Sequence, residues 1–217
     1  MQLTKAAPIA NLEKPCKNKY ILNTFLWTLL SSSISTAIIL TMHHAPHVIY
    51  VKQPWVKWII VLSILPPIYV MHISKYIIAR KISYLCFTLA ISMFASLSIM
   101  PVLNNTVIIT SITLTACLLY ICMYCKWCVV SSSDISYILP GIFSIIIEIF
   151  IIALCALVYS CNIIDMLFAS LFITFYMIIN TWYIERIYNT RHYYDDIFKH
   201  PVYSASAIYA DIIYLFS

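Results

Sequence analysis

Seven runs of almost unbroken apolar sequence, at 20–42, 55–73, 82–103, 106–125, 135–158, 162–184 and 202–217, constrain this chain more than any motif does. A helix needs about 20 apolar residues to cross the hydrocarbon core of a bilayer, and most of the runs meet that length. Inside lipid the backbone must satisfy its own hydrogen bonds, so a run of this length has to be a helix. The sequence therefore predicts an all-α polytopic membrane protein. Its composition agrees: 63% of the residues are hydrophobic and 10% charged, where a soluble domain carries about 45–50% and 25%. Soluble, nucleic-acid-binding and secreted disulfide-framework classes are excluded, and the bilayer is the first partner. Short connections at Asn104-Asn105 and Ser160-Cys161 imply one compact bundle over 20–217 behind a polar tail, 1–19. The first run is too long for the apolar part of a signal peptide and reads as a signal-anchor-like span.

Basic residues orient the bundle. Lys5, Lys14, Lys17 and Lys19 precede the first span; Lys75, Arg80 and Lys81 follow the second; Lys126 follows the fourth; Arg186, Arg191 and Lys199 follow the sixth. That is eleven on one side against Lys52 and Lys57 on the other, so the positive-inside rule predicts a cytosolic N-terminus. Seven full spans put the C-terminus in the lumen; 202–217 is also short enough to be re-entrant. Trp55, Trp58, Trp127 and Trp182 sit where interfacial anchors are expected. A single glycine, Gly141, leaves Ala, Ser, Thr and Cys to supply close helix contacts. Heavy use of Ile, Tyr, Asn and Lys with so little Gly is a compositional hint of an AT-biased, viral gene.

Ionisable groups at membrane depth cost roughly 2.5–3.5 kcal/mol on insertion scales and are expected to face the bundle, a partner or water. Asp211 in the last run and Glu148 in Ile147-Glu148-Ile149 are the two to place; Asp211 also fits a simple interfacial position. His72, Lys75 and Arg80 are candidate basic partners at the cytosolic end, with Lys75 also able to snorkel to the interface. Asp165 reads as interfacial. His43-His44-x-x-His47 has a metal-like spacing but no matching cluster. Cys122-x-x-Cys125-x-x-Cys128 lacks a fourth ligand for zinc and reads as helix-packing thiols or palmitoylation sites at Cys125 or Cys128. Cys155 and Cys161 could pair near the lumenal turn, and Asn104-Asn105-Thr106 is a sequon close to the membrane. The segment from Tyr188 to Pro201, with Asp195-Asp196, reads as a solvated loop or contact surface. No catalytic constellation, metal site or cofactor fingerprint is present, and the chain is expected not to be an enzyme.

Tyr209-Ala210-Asp211-Ile212-Ile213-Tyr214-Leu215-Phe216 resembles the C-terminal signature of the Bax inhibitor-1/lifeguard/Golgi anti-apoptotic protein family. Asp134-Ile135-Ser136-Tyr137-Ile138-Leu139-Pro140-Gly141-Ile142-Phe143 resembles that family's opening of the fifth helix, and Phe87-Thr88-Leu89-Ala90-Ile91-Ser92 its third-helix block. The resemblance implies six helices around a central C-terminal helix. It also implies a pH-sensitive carboxylate pair that controls a leak of calcium from endoplasmic reticulum or Golgi lumen, and inhibition of apoptosis through host membrane proteins. Asp211 would be the gate residue, with calcium and protons as its ions. Two positions depart from the pattern: Ile91 stands at a glutamate and Asn180 at the first aspartate of the pair. Two close carboxylates share a proton, whereas an amide beside Asp211 would remove the second titrating group and could donate a hydrogen bond to it. Losing these carboxylates also fits a non-conducting adaptor that binds host membrane proteins to alter cell death or receptor traffic. A seven-helix receptor fits poorly with such short loops.

Overall fold

The computed structural model describes residues 9–44, 54–99, 105–136, 138–158, 163–191 and 200–216. They form seven helices: α1 (Ile9–His44), α2 (Pro54–Ile73), α3 (Ile77–Ile99), α4 (Asn105–Ser131), α5 (Ile138–Val158), α6 (Ile163–Arg191) and α7 (Pro201–Phe216). Isoleucine is only a middling helix former in water, yet isoleucine-rich stretches are helical throughout, because lipid offers the backbone no other partner. Four helices carry apolar windows long enough to cross a membrane, Lys17–Thr41, Ile77–Leu97, Val107–Ser131 and Met166–Ile184. His43, His44 and Asp165 as side chains, Cys155, Cys161, the sequon and most of Tyr188 to Pro201 lie outside the described residues or side chains.

Helix ends follow their local chemistry. Pro54 and Pro201 occupy first helical positions, where the missing N–H costs nothing. Ser136 caps α5, its Oγ accepting from Ile138 N (3.3 Å) and Leu139 N (3.4 Å). The end of α4 turns through Ser132, at φ 54°, the left-handed conformation that commonly stops a helix. Helix α1 starts at Ile9, inside the stretch read as a polar tail. This extension has a purpose at Asn18, whose buried amide donates to Ser133 O (2.8 Å) and Cys128 O (3.4 Å). It thereby satisfies a carbonyl in α4's last turn.

Pairwise contacts fix the directions. Asn18 meets the end of α4 while Thr36 Oγ1 donates to Ser111 O (3.4 Å) nearer its start, so α1 and α4 are antiparallel. Tyr20 meets Ser204 (2.7 Å) and Ser35 meets Tyr209, so α1 and α7 are parallel. Thr174 meets Glu148, and Ile178 lies over Gly141, so α5 and α6 are antiparallel. The chain therefore alternates direction, with the N-terminal ends of α1, α3 and α7 together.

Helix α7 is enclosed over its first half, where Val202, Tyr203, Ser204 and Ala205 are buried in succession. Burial of four consecutive helical residues requires neighbours on every side. The neighbours are α1, α3 and α6, with α2 touching at Tyr203. The centre is shared, however: α1 packs on α3, α4, α6 and α7. The sequence pointed to the last helix alone.

Hydroxyls join these helices, as the near-absence of glycine requires. Ser31 bonds Tyr84 (2.5 Å) and Thr88 (3.0 Å), Ser35 bonds Ser92 (2.8 Å), and Ser32 bonds Thr115 (2.8 Å). Many also donate to the carbonyl four residues back, as Thr24 does to Tyr20 and Ser92 to Thr88, which gives these hydroxyl protons a partner where lipid offers none. Cys122, Cys125 and Cys128 are all buried in the α1–α4–α6 core. Of the two readings for this run, packing is the one realised: no exposed thiol is left there to acylate.

Candidate functional site

Tyr176 sits at the heart of the site. Midway along α6, it is buried and its hydroxyl donates to Ile208 O across the interface with α7 (2.5 Å). Asn180, one turn further along α6, lies against the same phenol, and Asp211, on α7, is within its electrostatic reach. Asn180 is also buried, and its amide donates to Tyr176 O (2.7 Å). Asp211 lies on an exposed face of α7.

Among the described hydrogen bonds the Asn180 amide donates within its own helix and not to Asp211. Helices α6 and α7 run antiparallel, so Asn180 lies one turn from the Tyr176–Ile208 contact toward one end of the bundle. Asp211 lies nearly one turn from it toward the other. At 1.5 Å per residue the two are about 10 Å apart along the axis. The amide spends one of its two N–H donors on its own helix, and Tyr176 stands between the two positions. Sequence reasoning missed Tyr176, although its spacing of four from Asn180 places both on one helix face.

One residue past Ile208 on α7, Tyr209 binds α1 and α3 at once: its hydroxyl is hydrogen-bonded to Ser35 and Ser92. Ile91, which the resemblance sets against a glutamate, packs into the apolar cluster of Tyr84, Phe87, Ala95, Val202, Tyr203 and Tyr209. That position is apolar in its surroundings as well as its side chain.

The basic residues gather at the other end of α7. Arg80 is buried, donates through Nε to Ser74 O (2.7 Å), and lies over the Tyr203 ring at 5.8 Å. His72 contacts the same ring at 5.1 Å, and the Tyr203 hydroxyl donates to Met71 O. Tyr203 precedes Asp211 by eight residues, about 12 Å of rise. Arg80 and His72 thus fasten the start of α7, some two turns from Asp211, while Lys75 is exposed.

His200 caps α7 in this cluster. Its Nδ1 accepts from Val202 N (3.4 Å) and its carbonyl from Tyr203 N (3.1 Å). Burial, then the charges of Arg80 and Lys81, hold its pKa below the usual 6.5. A histidine with a depressed folded-state pKa favours the neutral form in the bundle. Its contribution to stability is therefore complete above the unfolded value and is lost as pH falls through the lower folded value. The protection factors of the amides at 202–204, taken against the intrinsic exchange rate at each pH, are expected to fall on acidification below about pH 6.5, and His200→Asn, which keeps a cap but does not titrate, is expected to flatten that dependence.

Glu148 is separate from all of this. It is 1% exposed, faces α4 and α6, and accepts a hydrogen bond at Oε2 from Thr174 Oγ1 (3.1 Å). Among the described residues no group of three or more His, Cys, Asp or Glu side chains is placed to hold a metal ion.

A family model described as the inhibitor of apoptosis-promoting Bax1 matches residues 17–217. Neither the curated proteins nor the solved structures give a match. The match runs from the Lys17 turn of α1 through all of α7, and on it the chain belongs to the Bax inhibitor family.

Proposed function

We propose that this Bax inhibitor-like membrane protein resides in endoplasmic reticulum or Golgi membranes, lets calcium leak from the lumen, and dampens apoptosis. The observation that carries this reading is Asp211: a carboxylate kept in the family's α7 segment, beside the Tyr176–Ile208 contact that joins α6 to the core. An isolated carboxylate attracts a cation but holds hard divalent ions weakly, since these prefer several oxygen ligands. With Asn180 and Ile91 in place of two acids, the gate has lost its paired titration and would respond to pH weakly.

A second reading is favoured by the same two positions. Asn180 is engaged with its own helix and Ile91 lies in an apolar cluster, which suits a non-conducting adaptor that acts on host membrane proteins in cell death or receptor traffic. Calcium flux from liposomes separates the two. The channel reading expects a leak with wild type, at least tenfold less with Asp211→Asn, and steeper pH dependence between about pH 6 and 8 with Asn180→Asp, which restores a second titrating group. No leak from any of the three would overturn conduction and favour the adaptor.

A further inference from the structure

We infer that Glu148 forms a proton-binding site reached from one end of the bundle only, independent of α7. The site is a crevice between α4, α5 and α6, lined by Ile109, Thr110, Thr113, Glu148, Ile152, Met166, Ser170 and Ile173, with room for roughly one water molecule. Its floor and lip are distinct. Glu148, Thr113 and Thr174 are buried, whereas Ile152, Thr110 and Ser170, each about one turn away on the same three helices, are partly exposed. All three displacements point toward the end that carries Asn105 and Ile163. By the distribution of basic residues this is the lumenal end.

The opposite end is closed. One turn the other way lie Cys117 and Ser144, both buried and in contact with each other. Beyond them Gly141 meets Ile178 so closely that a Cβ on the glycine would fall 2.4 Å from Ile178 Cγ1. Among the described residues, this packing lies between Glu148 and that end.

The carboxyl itself calls for a proton. Oε2 is taken by Thr174, but Oε1 is buried without any hydrogen-bond partner. An ionised carboxylate with one hydrogen bond in this setting would bear an uncompensated desolvation cost of several kcal/mol. A proton on Oε1 removes the charge and supplies a donor for one water at the hydroxyl-lined lip. Thr110 and Ser170 give that water further partners. The titratable group facing Glu148 from α4 is Cys117, a thiol one turn away; from α6 the facing residues, Met166, Ser170, Ile173 and Thr174, do not titrate, and Asp165 has no described side chain. A metal cation is a poorer occupant, because one carboxylate and a few hydroxyls fall short of what a hard divalent ion needs.

Infrared difference spectroscopy of the full-length protein in nanodiscs tests the site. The expected result is a protonated-carboxyl band that shifts in D2O, titrates with pH, survives Asp211→Asn and is absent in Glu148→Gln. Ile152→Trp, which fills the lip and leaves the acid intact, is expected to slow deuterium exchange of that band at least tenfold; filling the closed side with Cys117→Leu should not. Absence of the band from wild type at every pH would overturn the proposal. So would a band that sodium or calcium displaces at constant pH, which would make this a cation site. Exchange that Ile152→Trp leaves unchanged would overturn one-sided access. None of these outcomes depends on whether the protein leaks calcium.

Discussion

Tyr209→Ala is expected to destabilise the bundle by about 3–5 kcal/mol, the range for removing a fully buried aromatic side chain. Tyr209 is completely buried in the cluster shared by α3 and α7, and its hydroxyl joins Ser35 of α1 to Ser92 of α3. The truncation would leave a void among three helices that have no glycine with which to close it. Tyr209→Phe keeps the ring and loses only the hydroxyl. Its cost is expected to be about 1 kcal/mol, because Ser35 and Ser92 still bond each other and Ser92 still donates to Thr88 O, and interhelical hydrogen bonds in membranes average only about 0.6 kcal/mol. Unfolding in mixed detergent micelles measures both. Equal losses would mean that the hydroxyl, and not ring packing, holds α7 in place.

Gly141→Ala is expected to cost about 1–3 kcal/mol, the usual effect of overpacking. A methyl at Gly141 would overlap Ile178 Cγ1 and Cδ1, at 2.4 and 2.5 Å. Ile178 is β-branched on a helix, so it has one strongly preferred rotamer and little freedom to swing aside. Helices α5 and α6 would have to separate. Ile178→Ala alone would open a small void, but in the double variant the new methyl occupies space that the isoleucine vacates. The two changes should therefore be less than additive by about 0.5–3 kcal/mol. Strict additivity in the same unfolding measurement would show that α5 and α6 do not touch at this point.

The helices were legible in the sequence because lipid leaves them as the only solution, and the run lengths gave their positions to within a few residues at most ends. Facing was not legible. In a soluble helix the apolar stripe marks the buried side, but a membrane helix is apolar all round, so nothing in the spacing of Asn180 and Asp211 says which neighbour each meets. That is why the amide was expected at Asp211 and is found on its own helix, with Tyr176 in between. Arg80 was legible as a basic residue at the cytosolic end and not as a clasp on Tyr203. The prominence of α1 was hidden for a similar reason: its serines and threonines look like ordinary small residues until α3, α4 and α7 are set around them. Glu148 was correctly placed within the bundle by its insertion cost alone, but the orphaned oxygen and the crevice above it depend on three helices converging.

The hydroxyls of α1 and α3 have a consequence for how the protein is made. Ser35 lies 174 residues before its partner Tyr209, and Ser92 lies 117 before it. Six helices leave the ribosome and enter the bilayer before α7 exists. During that interval the groove that α7 will fill is lined with polar side chains whose final partner has not been synthesised. A nascent chain halted before Tyr209 therefore carries an unsealed, partly hydrophilic seam in lipid, the kind of defect by which membrane quality control can distinguish an unfinished product from a finished one.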